Sequence, residues 1–204
     1  MKRYILIALL GMALGGTARA ATPEAAPVET LDAGLIAAMK AATAGSDFAT
    51  REEAVSAVVA QSYDLPTVTQ NSVGFLWSTL PAAQQQQLIQ LFGQFTSTSY
   101  TSQFNSYSGE SFTILPDEKD LGAAKIVQST LNPGDSGDPV ELDYVVHNTP
   151  QGWRITDVLL NGTISQVALH NSDFASLVSA GDGSRLITAL QAKIAALQNS
   201  SAAK

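Results

Sequence analysis

The hydrophobic period of this chain changes twice, and that alternation limits the folds open to it. From Leu31 to Phe104 apolar residues recur at helical spacing, from Phe112 to Leu159 they alternate, and after Gly162 the helical spacing returns. A 3.6-residue pattern buries one stripe of a helix and a two-residue pattern one face of a sheet, so each segment is committed to its own element type. Helices, then strands, then helices is a segregated order. It predicts an α+β domain, a twisted four-stranded antiparallel sheet with helices covering one face.

In the first helical segment Leu31, Leu35, Ile36 and Met39 share a face, and Thr50 with Glu53 forms a capping box for a helix carrying Ala54, Val55, Val58 and Val59. Asp64 caps a short helix starting near Pro66, while Gly74 and Ser78 to Pro81 break the chain. The longest helix follows Pro81. Its Leu88, Leu91, Phe92 and Phe95 form one stripe, which Tyr100 and Phe104 extend. The glutamines from Gln84 to Gln87 read as an uncharged, solvated helix face.

Phe112 and Ile114 mark a first strand, Ala123 to Leu131 a second, and NPGDSGDP a turn. In the third strand Val140, Leu142, Tyr144 and Val146 face one way, with Glu141, Asp143 and His147 facing the other; in the fourth, Gly152 to Leu160, alternation groups Trp153, Ile155 and Leu159. Short turns imply an antiparallel meander. Beyond Gly162 come Ile164, Val167, Ala168, Leu177 and Val178, then a last helix capped by Ser184 with a stripe through Leu186, Ile187, Leu190, Ile194 and Leu197. One domain spans 31–198, and 199–204 reads as a disordered tail.

Lys2 and Arg3, the apolar run from Tyr4 to Leu14, and Ala18-Arg19-Ala20 form a secretory signal peptide over 1–20. The run is shorter than the about 20 apolar residues that span a bilayer. Residues 21–30, ATPEAAPVET, read as a flexible leader. The expected location is the periplasm. Lys2, Arg3 and Arg19 are three of the 11 basic residues, so cleavage leaves eight against 18 acidic ones. A chain that acidic does not seek nucleic acid. With no cysteine, disulfides and thiolate chemistry play no part.

The residues offer little for catalysis. Neither His147 nor His170 has a partner at ligand spacing, so no metal site is expected. Asp157 is the one carboxylate that alternation turns toward Trp153 and Ile155, and an inward carboxylate could serve an isomerase or hydrolase as general base. Without an acid partner it specifies no reaction, and the favoured reading is structural: Asp157 accepts from backbone amides and holds the strand end to the following helix. The clusters Glu52-Glu53 and Asp117-Glu118-Asp120 read as solvated charge. No catalytic residue and no cofactor are assigned.

Several segments resemble one family in order and spacing. Tyr63-Asp64-Leu65-Pro66 followed by Val73-Gly74 and Trp77, Leu91-Phe92 through Tyr100, Asp138 to Tyr144, and Gly152-Trp153-Arg154-Ile155 with Asp157-Val158 are similar to motifs of the MlaC and toluene-tolerance auxiliary proteins. Leu159 to Ser165 with Ser172-Asp173-Phe174 looks closer to the HpnM branch, associated with hopanoid biosynthesis. The resemblance implies a sheet and a helical cover that part around an apolar cavity, and a non-catalytic periplasmic carrier of phospholipid, or alternatively of a hopanoid. It further implies an inner-membrane ABC transporter complex and an outer-membrane lipoprotein as partners. On that reading the candidate cavity walls are Phe92, Phe95, Tyr100, Phe112, Ile114, Val140, Leu142, Tyr144, Trp153, Ile155 and Leu159. Shielding a lipid is worth about 0.8 kcal/mol per methylene, so such a cavity must be nearly all apolar. Periodicity alone fits equally a filled core in an interaction module.

Overall fold

A computed structural model describes residues 22–134 and 137–202. The segment read as a signal peptide lies outside them. Helices α1 (Ala26–Thr43), α2 (Phe48–Ser62), α3 (Leu65–Val73) and α4 (Ala82–Gln103) come first, with a 3-10 segment Gly74–Thr79 between the last two. Strands β1 (Ser111–Ile114), β2 (Lys119–Leu121), β3 (Ala124–Asn132), β4 (Val140–Thr149), β5 (Gly152–Leu160) and β6 (Ile164–Ser165) follow, then α5 (Gln166–Phe174) and α6 (Ser184–Ala202). No helix among the described residues is long and apolar enough to cross a membrane.

The sheet is the expected antiparallel meander, with six strands rather than four. β1 and β2 both pair with β3, β1 against its end and β2 against its start, so they form one edge strand interrupted at Pro116, which has no amide to donate. The sixth strand, β6, is a short return from β5 through Asn161 (φ 52) and Gly162 (φ 67). Two consecutive left-handed residues make the tight turn for which Asn-Gly is the sequence signal.

β5 carries a bulge that strict alternation does not anticipate. Val145 lies opposite Asp157 but Val146 opposite Ile155, so Thr156 is an extra residue. Directly paired residues share a face. Beyond the bulge the face of Tyr144 and Leu142 is therefore continued by Val158 and Leu160, and Leu159 lies opposite Asp143. The grouping of Leu159 with Trp153 and Ile155 is corrected accordingly.

Helix ends also differ from expectation. The stretch expected to be a flexible leader enters α1 at Ala26, with Pro27 in the first turn and Val28 fully buried. Proline is tolerated there because its missing amide has no helical partner, and Val28 extends the stripe of Leu31 and Leu35 by one turn. Asp47, rather than Thr50, caps α2 by accepting from the Thr50 amide at 2.8 Å. Asp64 caps α3 as expected, accepting from Thr67 at 3.1 Å. The expected tail is helical to Ala202, its Ser200 and Ser201 hydroxyls donating to the Leu197 carbonyl.

The core is one cluster in which α1 and α2 pack on β5 and α6 packs on α4 and α2, around Leu31, Leu35, Val55, Val59, Leu88, Ile155, Leu186 and Leu190. Small residues let these helices approach closely. Ser97, Thr98 and Thr101 are buried on α4, and Thr98 and Thr101 donate to carbonyls one turn back, so their hydroxyls are satisfied without water. Gln198 donates to both carboxylate oxygens of Glu52 and the Thr98 hydroxyl lies against one of them, so Glu52 ties α2 to α4 and α6 instead of standing in solvent. Gln84 and Gln85 likewise bond Gly183 and the Trp77 and Leu80 carbonyls, leaving Gln86 and Gln87 as the solvated pair.

Candidate functional site: an apolar cavity under the sheet

Between α4, α5 and the sheet lies a cavity of about 260 Å³. The stripe of α4 supplies Phe92, Phe95 and Tyr100, β4 supplies Leu142 and Tyr144, and the bulged end of β5 supplies Val158 and Leu160. Leu35 of α1, Tyr63, Val68 of α3, and Val167 with His170 of α5 complete the apolar wall. Ser99, Gln103, Asp157 and Gln166 add polar groups to the lining. A wider and more open depression of about 600 Å³ lies between α2 and α4, where Glu52, Glu53, Gln90 and Gln94 share the lining with Val59, Leu65 and Ile89.

Of the eleven candidate wall residues, five line this cavity: Phe92, Phe95, Tyr100, Leu142 and Tyr144. Ile155 is fully buried in the core, and Phe112, Ile114 and Trp153 pack half-buried against it. Val140 faces a separate pocket with Met39 and Phe104. Leu159 is turned away by the bulge. Alternation missed Val158 and Leu160 for the same reason, and Leu35, Tyr63 and Val68 because nothing local shows which helix stripe meets a sheet.

Aromatic rings stiffen one side. His170 stacks on Phe174 with centroids 5.5 Å apart and meets Phe92 and Phe95 edge-on at 5.3 and 5.9 Å. Burial lowers the His170 pKa, keeping the ring neutral among its aromatic neighbours. Asp157 has the structural part expected of it. Its Oδ1 accepts from the Val158 amide at 2.8 Å and the Val167 amide at 3.1 Å, and its Oδ2 from the Ser165 hydroxyl at 2.5 Å. The Ser165 hydroxyl in turn caps α5 through the Ala168 amide at 2.9 Å. These bonds fasten α5 to the end of β5.

Sequence reasoning missed the polar groups at the inner wall. The hydroxyls of Tyr63 and Tyr100 are 2.5 Å apart, and Tyr144 donates to Oδ1 of Asp32 at 3.4 Å. Asp32 is 5% exposed, and burial pushes its pKa up to about 7, opposed by Tyr144 and Ser129 nearby. Burial raises all three tyrosines, so they are neutral donors. No group of His, Asp or Glu among the described residues is arranged to hold a metal ion.

A sheet and a helical cover enclosing an apolar space define the class: an α+β domain built around an internal cavity. The chain belongs to the MlaC family, whose model, described as MlaC protein, matches residues 29–192. In overall fold it is similar to a phospholipid-binding protein from Ralstonia solanacearum, solved in complex with a phospholipid. The TM-score is 0.72 and the identity 24%, over 85% of this chain and 98% of that one. A comparison with curated proteins returned no match.

Proposed function

We propose that this chain is an exported, non-catalytic lipid carrier whose cavity shelters the apolar part of a phospholipid while the head stays in water. The cavity carries this reading: its walls are largely apolar and aromatic, supplied by α1, α3, α4, α5, β4 and β5. Membership of the MlaC family and the likeness to a phospholipid-bound protein support it. At about 260 Å³ the space is below the about 300–1,000 Å³ of small-molecule sites, so loading a lipid requires the wall to open.

The finer picture follows the family. The signal over 1–20 is removed, the mature chain works in the periplasm, and it passes lipid between an outer-membrane lipoprotein and an inner-membrane ABC transporter complex. Asp157 belongs to the fold rather than to a reaction, since its oxygens are already committed to three donors. A hopanoid of the HpnM type is the alternative cargo. Vesicle transfer tests the carrier: the mature protein should speed movement of a fluorescent phospholipid from donor to acceptor vesicles in proportion to its concentration. A rate independent of protein contradicts the reading.

A further inference from the structure

The geometry points to an oxygen-recognition subsite inside the cavity: the paired hydroxyls of Tyr63 and Tyr100 donate a hydrogen bond to an oxygen borne on the buried hydrocarbon of the ligand. This deepens the lipid-carrier reading and rests on it. The cargo it selects is a lipid whose apolar body carries a hydroxyl or carbonyl.

Tyr63 and Tyr100 both line the cavity, their oxygens 2.5 Å apart, with either able to donate to the other. Two hydroxyls bring two protons, and one bond uses one. The acceptor's own proton has no partner among the described residues, because neither hydroxyl makes a second hydrogen bond there. Tyr144, whose hydroxyl donates to Asp32, makes no hydrogen bond with either of them. A buried donor left unpaired against plain hydrocarbon keeps its full desolvation cost, whereas a ligand oxygen at that point removes it. A cavity meant only for methylenes gains nothing from phenols where phenylalanines would pack equally well. Leu35 and Val68 of the same lining are apolar, and its other polar groups on α4, Thr96, Ser99 and Gln103, make no hydrogen bond to either phenol.

The test uses delipidated mature protein, a fluorescent fatty-acid probe, and displacement by stearate, by a series of hydroxystearate positional isomers and by the matching oxostearates. One hydroxyl position should bind about five- to tenfold more tightly than stearate, the factor one hydrogen bond supplies. The oxo analogue, an acceptor only, should gain as much, because the protein supplies the donor. In the Tyr63→Phe, Tyr100→Phe double variant the preference over stearate should fall to about one. The double change is needed because either hydroxyl alone still offers a proton. A wild-type protein that binds no oxygenated isomer better than stearate overturns the subsite, whether or not the variant folds. A preference that survives in a folded double variant overturns it too. Displacement by none of these chains overturns the lipid reading and the subsite with it.

Discussion

The Tyr144 hydroxyl donates to Oδ1 of Asp32 across 3.4 Å, joining the middle of β4 to the buried stripe of α1, while Oδ2 of the same carboxyl has no hydrogen-bond partner among the described residues. Burial, the largest influence, raises this acid from 3.8 to about 7. An acid whose folded pKa lies above its unfolded one takes up a proton on folding between the two values. Its penalty is absent below about pH 4 and grows as pH rises to about 7. Asp32→Asn removes that penalty and keeps an acceptor for Tyr144. The variant should therefore gain on the wild type as pH rises through this window, by at most about 1.4 kcal/mol per pH unit. Urea unfolding of both proteins across the range measures it; a pH-independent difference contradicts the assignment.

Asp157→Asn should lower stability by about 1–3 kcal/mol, because an amide cannot accept from Ser165 and two backbone amides as a carboxylate does. The loss should centre on the start of α5, so the Val167 amide should exchange with solvent faster than amides of β4. If stability is unchanged and a discrete chemical activity disappears, Asp157 is catalytic and the structural account is wrong.

Gly74 ends α3 at φ 79, where a Cβ would lie 2.4 Å from Nδ2 of Asn171, the amide that reaches the Ser72 carbonyl at 3.4 Å. Gly74→Ala should cost about 1–3 kcal/mol from backbone strain and displacement of Asn171. Thermal unfolding checks this, and an unchanged melting temperature contradicts it.

What the sequence disclosed follows the reach of each interaction. The period changes separated helices from strands, and Asp64, whose effect spans three residues, marks a real helix start. Asn161-Gly162 carried a hairpin signal as well, though Gly162 reads equally as a plain break before a helix. The bulge at Thr156 has no local signature, and because strand alternation has period two, one extra residue exchanged Leu159 for Val158 and Leu160. Asp32 lies four residues after Val28 and three before Leu35, on the stripe that α1 buries, so its burial could be read from position alone. Its partner Tyr144 could not, being 112 residues away.

Leu142 faces the cavity from β4 with Leu160 paired opposite it. Extra bulk strains a filled core by about 1–3 kcal/mol, whereas in a ligand cavity it displaces ligand first. Leu142→Trp should therefore fold with a near-normal melting temperature and hold less lipid than the wild type. A strongly destabilised variant, or one still fully loaded, places Leu142 in packed core.

Mass spectrometry of the protein recovered from the periplasm, intact under native conditions and again after solvent extraction, tests the central claim most directly. A mature chain beginning at Ala21 should be found with lipid bound to a large fraction of molecules, and the extract should be dominated by phospholipid, or by a hopanoid if the alternative cargo is the true one. Protein recovered free of lipid, and taking up none from vesicles, would contradict it.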